Sequence, residues 1–163
     1  HAMSRRQRQM CIRDRMKLQV DNYRRSSDKA EEIIKKLEDS KNIHVVTDST
    51  TDCNNTPRGP KDEPGGRGST TRYDPVRSTK VEHPTEKGKD LDLSPTSVLA
   101  HELQHAHQRD TNTTDKTNVP DGYDVNRGRP RYSPQNEKEA VEAADRYRES
   151  VGETKREHYT AGK

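Results

Sequence analysis

Apolar residues are sparse along this chain and gather in five stretches, at residues 16–23, 29–37, 43–46, 91–106 and 140–151. Met16, Leu18 and Val20 alternate with polar neighbours, which reads as a short strand. Ala30, Ile33, Ile34 and Leu37 recur at helical spacing with Glu31, Glu32, Lys35 and Lys36 between them. An amphipathic helix is therefore expected from a cap at Ser26-Ser27-Asp28 to about Ser40. Asn42 to Thr47 is β-branched and apolar enough for a strand. Pro, Gly, Asn, Asp and Thr then dominate from Asp48 to Thr71, predicting a long loop or insertion. A brief strand at Arg72–Val76 ends at its proline, and 77–93 returns to polar loop. Ser94-Pro95 is a strong helix start, serine as cap and proline in the first turn, with Val98, Leu99, Leu103 and Ala106 as the apolar stripe. After a loop at about 109–135, a last helix is expected from about Asn136 to Val151, with Gly152 as its C-terminal cap.

Composition sharpens this picture. Only 24% of the residues are hydrophobic and 36% are charged, with no Trp and no Phe, against an apolar share of roughly 45–50% in ordinary globular proteins. The core must be small, and a bound metal would contribute substantially to stability. At 163 residues the chain is the size of one domain. Residues 1–15 read as a tag followed by a non-native or disordered leader, leaving 16–163 as the single domain. That leader also holds the positive charge. Five arginines less Asp14 give it +4 out of a total of +3, so the rest of the chain sums to −1 and forms no cationic surface for nucleic acid. Two cysteines, Cys11 and Cys53, give no disulfide framework. No apolar run approaches the ~18 residues of a membrane span.

The chemistry lies in HELQH at positions 101–105, inside the helix that starts after Ser94. Histidines four apart stand one turn apart on one face, so both imidazoles can reach one zinc ion while Glu102 projects toward water on that metal. His107, two residues on, points elsewhere and reads as a bystander. A catalytic zinc takes a third protein ligand and keeps a position for water. Gln108 and Thr111 stand where a longer HExxHxxGxxH motif needs Gly and His, so the third ligand is sought on the last helix. Its inward stripe is Ala140, Val141, Ala144 and Val151, and Glu137 lies on that side. Glu137 is the favoured ligand, with Glu139 and Glu142, further round, as alternatives. Either of those two is also a candidate to support an imidazole N–H from behind.

HELQHAH, preceded by Tyr73-Asp74-Pro75 and followed by Glu137, Ala140, Asp145, Tyr147-Arg148, Gly152 and Arg156-Glu157-His158-Tyr159, resembles the NleD-like zinc metallopeptidases, which are bacterial type III effectors and toxin domains. The resemblance covers roughly residues 72–159 and departs at Ala144-Asp145, where relatives often carry Glu-Asn. It implies a gluzincin fold, a third zinc ligand matching Glu137, and cleavage of a host or competitor protein. It also implies a role for Arg156 and Tyr159, whose Arg-x-x-Tyr spacing is similar to a pair in clostridial neurotoxin light chains. A guanidinium and a hydroxyl there would aim at the developing oxyanion.

The expected fold is thus α+β, a small zincin-like (gluzincin) domain with an active-site helix, a short-stranded sheet and long polar loops. The expected activity is zinc-dependent endopeptidase action on a protein or peptide substrate by a monomer, soluble or delivered into a target cell, without nucleic-acid or membrane partners. Its rivals are a non-catalytic zinc-stabilised binding module with a fourth ligand such as His107 or Cys53, and a nucleic-acid binder using the arginine-rich leader.

Overall fold

The computed structural model describes residues 5–58 and 67–159. In chain order it contains α1 (Arg5–Arg25), α2 (Asp28–Glu38), β1 (His44–Asp48), β2 (Asn54–Pro57), β3 (Ser69–Tyr73), β4 (Thr79–Glu82), β5 (Asp90–Leu93), α3 (Pro95–Asp110), β6 (Asn118–Asp124), β7 (Arg129–Pro134) and α4 (Gln135–Ser150). The fold is mixed α+β, four helices with small sheets.

The helix signals hold at their caps. Ser27 accepts the Ala30 N–H at the start of α2, and Ser94 accepts the Ser97 N–H at the start of α3. Gly152, at φ +77°, follows the end of α4 in the left-handed conformation that suits a residue without Cβ. The strand expected at Met16–Val20 is instead part of α1. Met16, Val20 and Tyr23 lie four and three residues apart on one helical face and meet the core, whereas Leu18 is exposed. Met16 and Val20, four apart, share a face in a strand and in a helix alike, and packing against α2 and α3 decides for the helix.

The stretches expected to be loops contain strands. β3 is central in a three-stranded sheet, parallel to β1 and antiparallel to β2, while β4–β5 and β6–β7 are separate antiparallel pairs. The part of the expected loop at 59–66 lies outside the described residues, as do residues 1–4 of the leader. These strands carry few apolar side chains. The inward positions of β3 are Ser69, Thr71 and Tyr73, all buried, and each hydroxyl has a partner, in His44, Asn55 and Gln19 respectively.

The apolar cluster lies between α1, α2, α3 and the strands, and α3 is its centre, with Leu99, Ala100 and Ala106 fully buried. Its two ends are tied down by polar contacts. At the N-terminal end, Arg148 of α4, only 1% exposed, donates to Ser97 Oγ, to the Asp92 carbonyl and to the Thr154 carbonyl, and pairs with Glu153. At the C-terminal end, Asp110 Oδ1 accepts from Ser40 Oγ at 2.5 Å and Asn42 Nδ2 at 2.6 Å and lies 3.1 Å from His44 Nε2.

Partial burial raises the Asp110 carboxyl, but those hydrogen bonds outweigh it and hold the group below its ordinary value of 3.8. Stability from a lowered carboxyl is complete above the unfolded-state value and is lost as pH falls through the folded one. Asp110→Ala should therefore cost about 2 kcal/mol at pH 7. The gap between the two proteins, measured by urea unfolding, should close as pH falls below about 4.

Candidate metal centre

α3 brings His101, Glu102 and His105 inward together. His101 and Glu102 are buried and His105 is partly so, because the helix is covered on one side by the sheet and on another by α4. Glu137 sits in the first turn of α4 and reaches across to them. Its Oε2 lies 3.4 Å from His101 Nε2 and 3.3 Å from His105 Nε2, and the two imidazole nitrogens are 3.2 Å apart. Ligand atoms around a tetrahedral ion with bonds of about 2.0–2.2 Å stand about 3.3–3.6 Å from one another. The observed triangle has that size, so His101, His105 and Glu137 could hold a metal ion. Among the described residues no other His, Cys, Asp or Glu joins the group. Glu142 is exposed, and His107 faces α2, where Lys29, Glu32 and Lys36 are its charged neighbours.

Glu139 has a different task. Gln108, 1% exposed, turns its Oε1 to His105 Nδ1 at 3.1 Å and donates through Nε2 to Glu139 Oε2 at 2.8 Å and to the Asn136 carbonyl at 3.3 Å. Glu139 orients the amide, the amide accepts the Nδ1–H, and His105 Nε2 is left to face the triangle. The group behind the imidazole is therefore an amide and not the expected carboxylate; Glu139 stands behind the amide and touches neither histidine. Gln108 is the residue that sequence reading missed. It showed there only as a mismatch to a longer motif, and its spacing of three from His105 was the available signal.

The charge states of His101 and Glu137 suit a cation. Burial pushes His101 down to about 4 against the pull of Glu137, so its imidazole is neutral at neutral pH. Burial raises Glu137, but contacts with both histidines outweigh it and hold the carboxylate far below its ordinary range. For His105, burial opposes the charge, but Glu137, Glu102 and Gln108 together raise its pKa. Glu102, which belongs to no ion pair among the described residues, is pushed up to about 7, mainly by burial.

Arg156 and Tyr159 come to the same place from the segment after α4. The Tyr159 ring lies 6.2 Å from the His101 ring at 15° between planes, and Arg156 Cζ is 5.2 Å from the Tyr159 centroid. Beside them is a cavity of about 160 Å³, walled by Val81, Leu93, Val98 and Ala144, with His101, Glu102 and Tyr159 also facing it.

The Peptidase_M91 family model, described as "Effector protein", matches residues 3–160. The chain belongs to this NleD-like family of effector peptidases. No curated protein and no solved structure matches it. Membership gives the cluster its setting: a peptidase with a site, built on two packed helices, that could hold a metal ion and has a buried carboxylate next to it. No helix among the described residues is long and apolar enough to cross a membrane.

If Gln108 fixes His105 as the contacts indicate, Gln108→Ala should weaken metal binding about 10- to 100-fold. Competition with a chromophoric chelator reads this directly, and unchanged affinity would mean that Gln108 only fills space.

Proposed function

We propose that this effector peptidase is a zinc-dependent endopeptidase of the gluzincin type, with His101, His105 and Glu137 as zinc ligands and Glu102 as general base. The observation that carries the reading is the triangle of two imidazole nitrogens and one carboxylate oxygen at 3.2–3.4 Å, beside a buried carboxylate that stays outside it. Two histidines and a glutamate are a ligand set of catalytic zinc sites that keep a position for water. A closed structural site would need a fourth protein ligand, and among the described residues neither His107 nor Cys53 joins the cluster. That favours the enzyme over a zinc-stabilised binding module.

Bound by these residues, zinc would polarise the scissile carbonyl and acidify water enough to supply a nucleophile near neutral pH. Glu102 takes the proton of the attacking water and later delivers one to the leaving amine nitrogen. Burial is the largest influence on it and makes the carboxylate a readier proton acceptor than an exposed one. Arg156 and Tyr159 donate to the oxyanion as the tetrahedral carbon forms. Burial, reinforced by the charge of Glu137, raises the Tyr159 pKa and keeps its hydroxyl protonated for that purpose. The cavity, lined by apolar residues together with Arg148 and Arg156, has room for one medium-sized side chain of the substrate.

The proposed catalytic domain is residues 16–163; in its support, Met16 is the first residue of α1 packed against the apolar core among the described residues. It acts as a monomer on a protein substrate, after delivery into a target cell and in that cell's cytosol.

The test is cleavage of a degenerate peptide library, analysed by mass spectrometry together with the zinc content of each protein. Glu102→Gln should lose turnover by about 1,000-fold or more while retaining one zinc. His101→Ala should lose both zinc and turnover, and a chelator should reversibly silence the wild type. Undiminished cleavage by Glu102→Gln would sink the mechanism, and tight zinc without any cleavage by the wild type would support the binding module.

A further inference from the structure

Residues 153–159 form neither helix nor strand, yet Arg156 is 7% exposed and both it and Tyr159 are held beside His101. What holds them is a set of backbone contacts to α4 and to the β6–β7 hairpin. Asp145 of α4, 9% exposed, accepts the Arg156 N–H on Oδ1 at 2.7 Å and the Glu157 N–H on Oδ2 at 2.8 Å. Both carboxylate oxygens are spent on one turn, in which Glu157 takes a left-handed φ of +61°. Such a conformation is unfavourable for a residue with Cβ and persists only where the surroundings impose it.

The hairpin holds the other end. Asp121 of β6, 3% exposed, accepts the Tyr159 N–H on Oδ2 at 2.9 Å, and the same oxygen accepts the Ser133 hydroxyl of β7 at 2.6 Å. Arg131 Nη1 donates to the Tyr159 carbonyl at 2.9 Å, while Nη2 lies 3.4 Å from Asp124. Between these anchors the His158 ring lies on Gly122, where a Cβ would come within 2.2 Å of the ring. Gly122 sits at the irregularity in the β6–β7 register and has φ +82°. The hairpin is thus cut to receive the segment, with acceptor, donor and seat for residues 158–159 in one place.

We propose that Asp121 and Asp145 are positioning residues that set where Tyr159 and Arg156 stand relative to the reacting carbonyl, with Gly122 as the seat that lets the segment close. The proposal rests on the reading of Arg156 and Tyr159 as oxyanion donors. Both oxygens of Asp145 and Oδ2 of Asp121 accept backbone N–H groups of the segment, so each aspartate acts on the site through the segment it holds. Their effect passes through the two donors, and a donor displaced by about 1 Å can cost on the order of 100-fold in rate.

Two measurements test it. On metal-free protein, amide hydrogen exchange should accelerate at least tenfold at Arg156 and Glu157 in Asp145→Ala and at Tyr159 in Asp121→Ala, without change in α3. On the zinc-loaded protein, with a peptide cleaved by the wild type, each variant should lower kcat about 10- to 100-fold with little change in KM or zinc content. Asp121→Asn, which keeps an acceptor, should recover part of the loss. In a Tyr159→Phe background, Asp121→Ala should cost much less than in the wild type, because the donor it positions is already gone. Gly122→Ala, which removes no hydrogen-bonding group, should reproduce the kcat loss by lifting His158, and serves where an aspartate variant fails to fold. Full additivity of Asp121→Ala with Tyr159→Phe, or faster exchange with unchanged kcat, would overturn the positioning role. Accelerated exchange in a protein that cleaves no peptide would instead count against the peptidase mechanism and leave the clamp standing.

Discussion

His101 and His105 stand on α3 and Glu137 on α4, so the three donors meet only where those two helices are packed in one register. A slip of one turn, about 5.4 Å, would take the carboxylate out of reach. The register is fixed at both ends. Gln108 and Glu139 lock the helices beside the triangle, and Arg148 locks them at the far end through Ser97. Both helices also bury alanines, Ala100 and Ala106 on α3 and Ala140, Ala143 and Ala144 on α4, which suit close approach of their backbones.

That constraint is met with little apolar material. In a chain that is 24% hydrophobic, the positions that a larger core would fill with Leu or Phe hold Ser69, Thr71, Gln108 and Arg148, each less than 2% exposed. A buried polar group stabilises only when its partners are in place, and each of these four has one. The interior is therefore specific in geometry but modest in transfer free energy. A Glu137 carboxylate held ionised between two imidazoles fits the same pattern, because a cation held there would tie α3 to α4 directly.

This balance explains how far the sequence could be read. α2, α3 and α4 were legible because each buries one apolar stripe with a period near 3.6, and the cluster was legible because helical spacing brings His101 and His105 together and puts Glu137 on an inward face. The sheets were not. Asn54–Pro57 contains no apolar residue other than its proline, and β3 buries Ser and Thr where the strand signal expects Val or Ile. The helix at Met16–Tyr23 was misread because Met16 and Val20, four apart, share a face in either period, and Leu18, exposed on the helix, completed a strand-like alternation. Gln108 was hidden because a buried amide has no pattern of its own. The placement of Arg156 and Tyr159 had no periodic signal at all; only the family resemblance pointed to them, and the contacts that hold them come from residues far away in sequence.

The site thus divides into two halves of different physical character. The triangle and Glu102 belong to regular helices, whose geometry follows from local periodicity and which form together with the core. The Arg156–Tyr159 segment has no repeating backbone bonds, so its position is only as fixed as the contacts at Asp121, Asp145, Arg131 and Gly122 make it. Hydrogen bonds to partly accessible backbone open more readily than core helices do. The candidate metal cluster and the proposed oxyanion donors therefore have separate stabilities, and conditions that loosen the β6–β7 hairpin would displace Arg156 and Tyr159 while His101, His105 and Glu137 stay together.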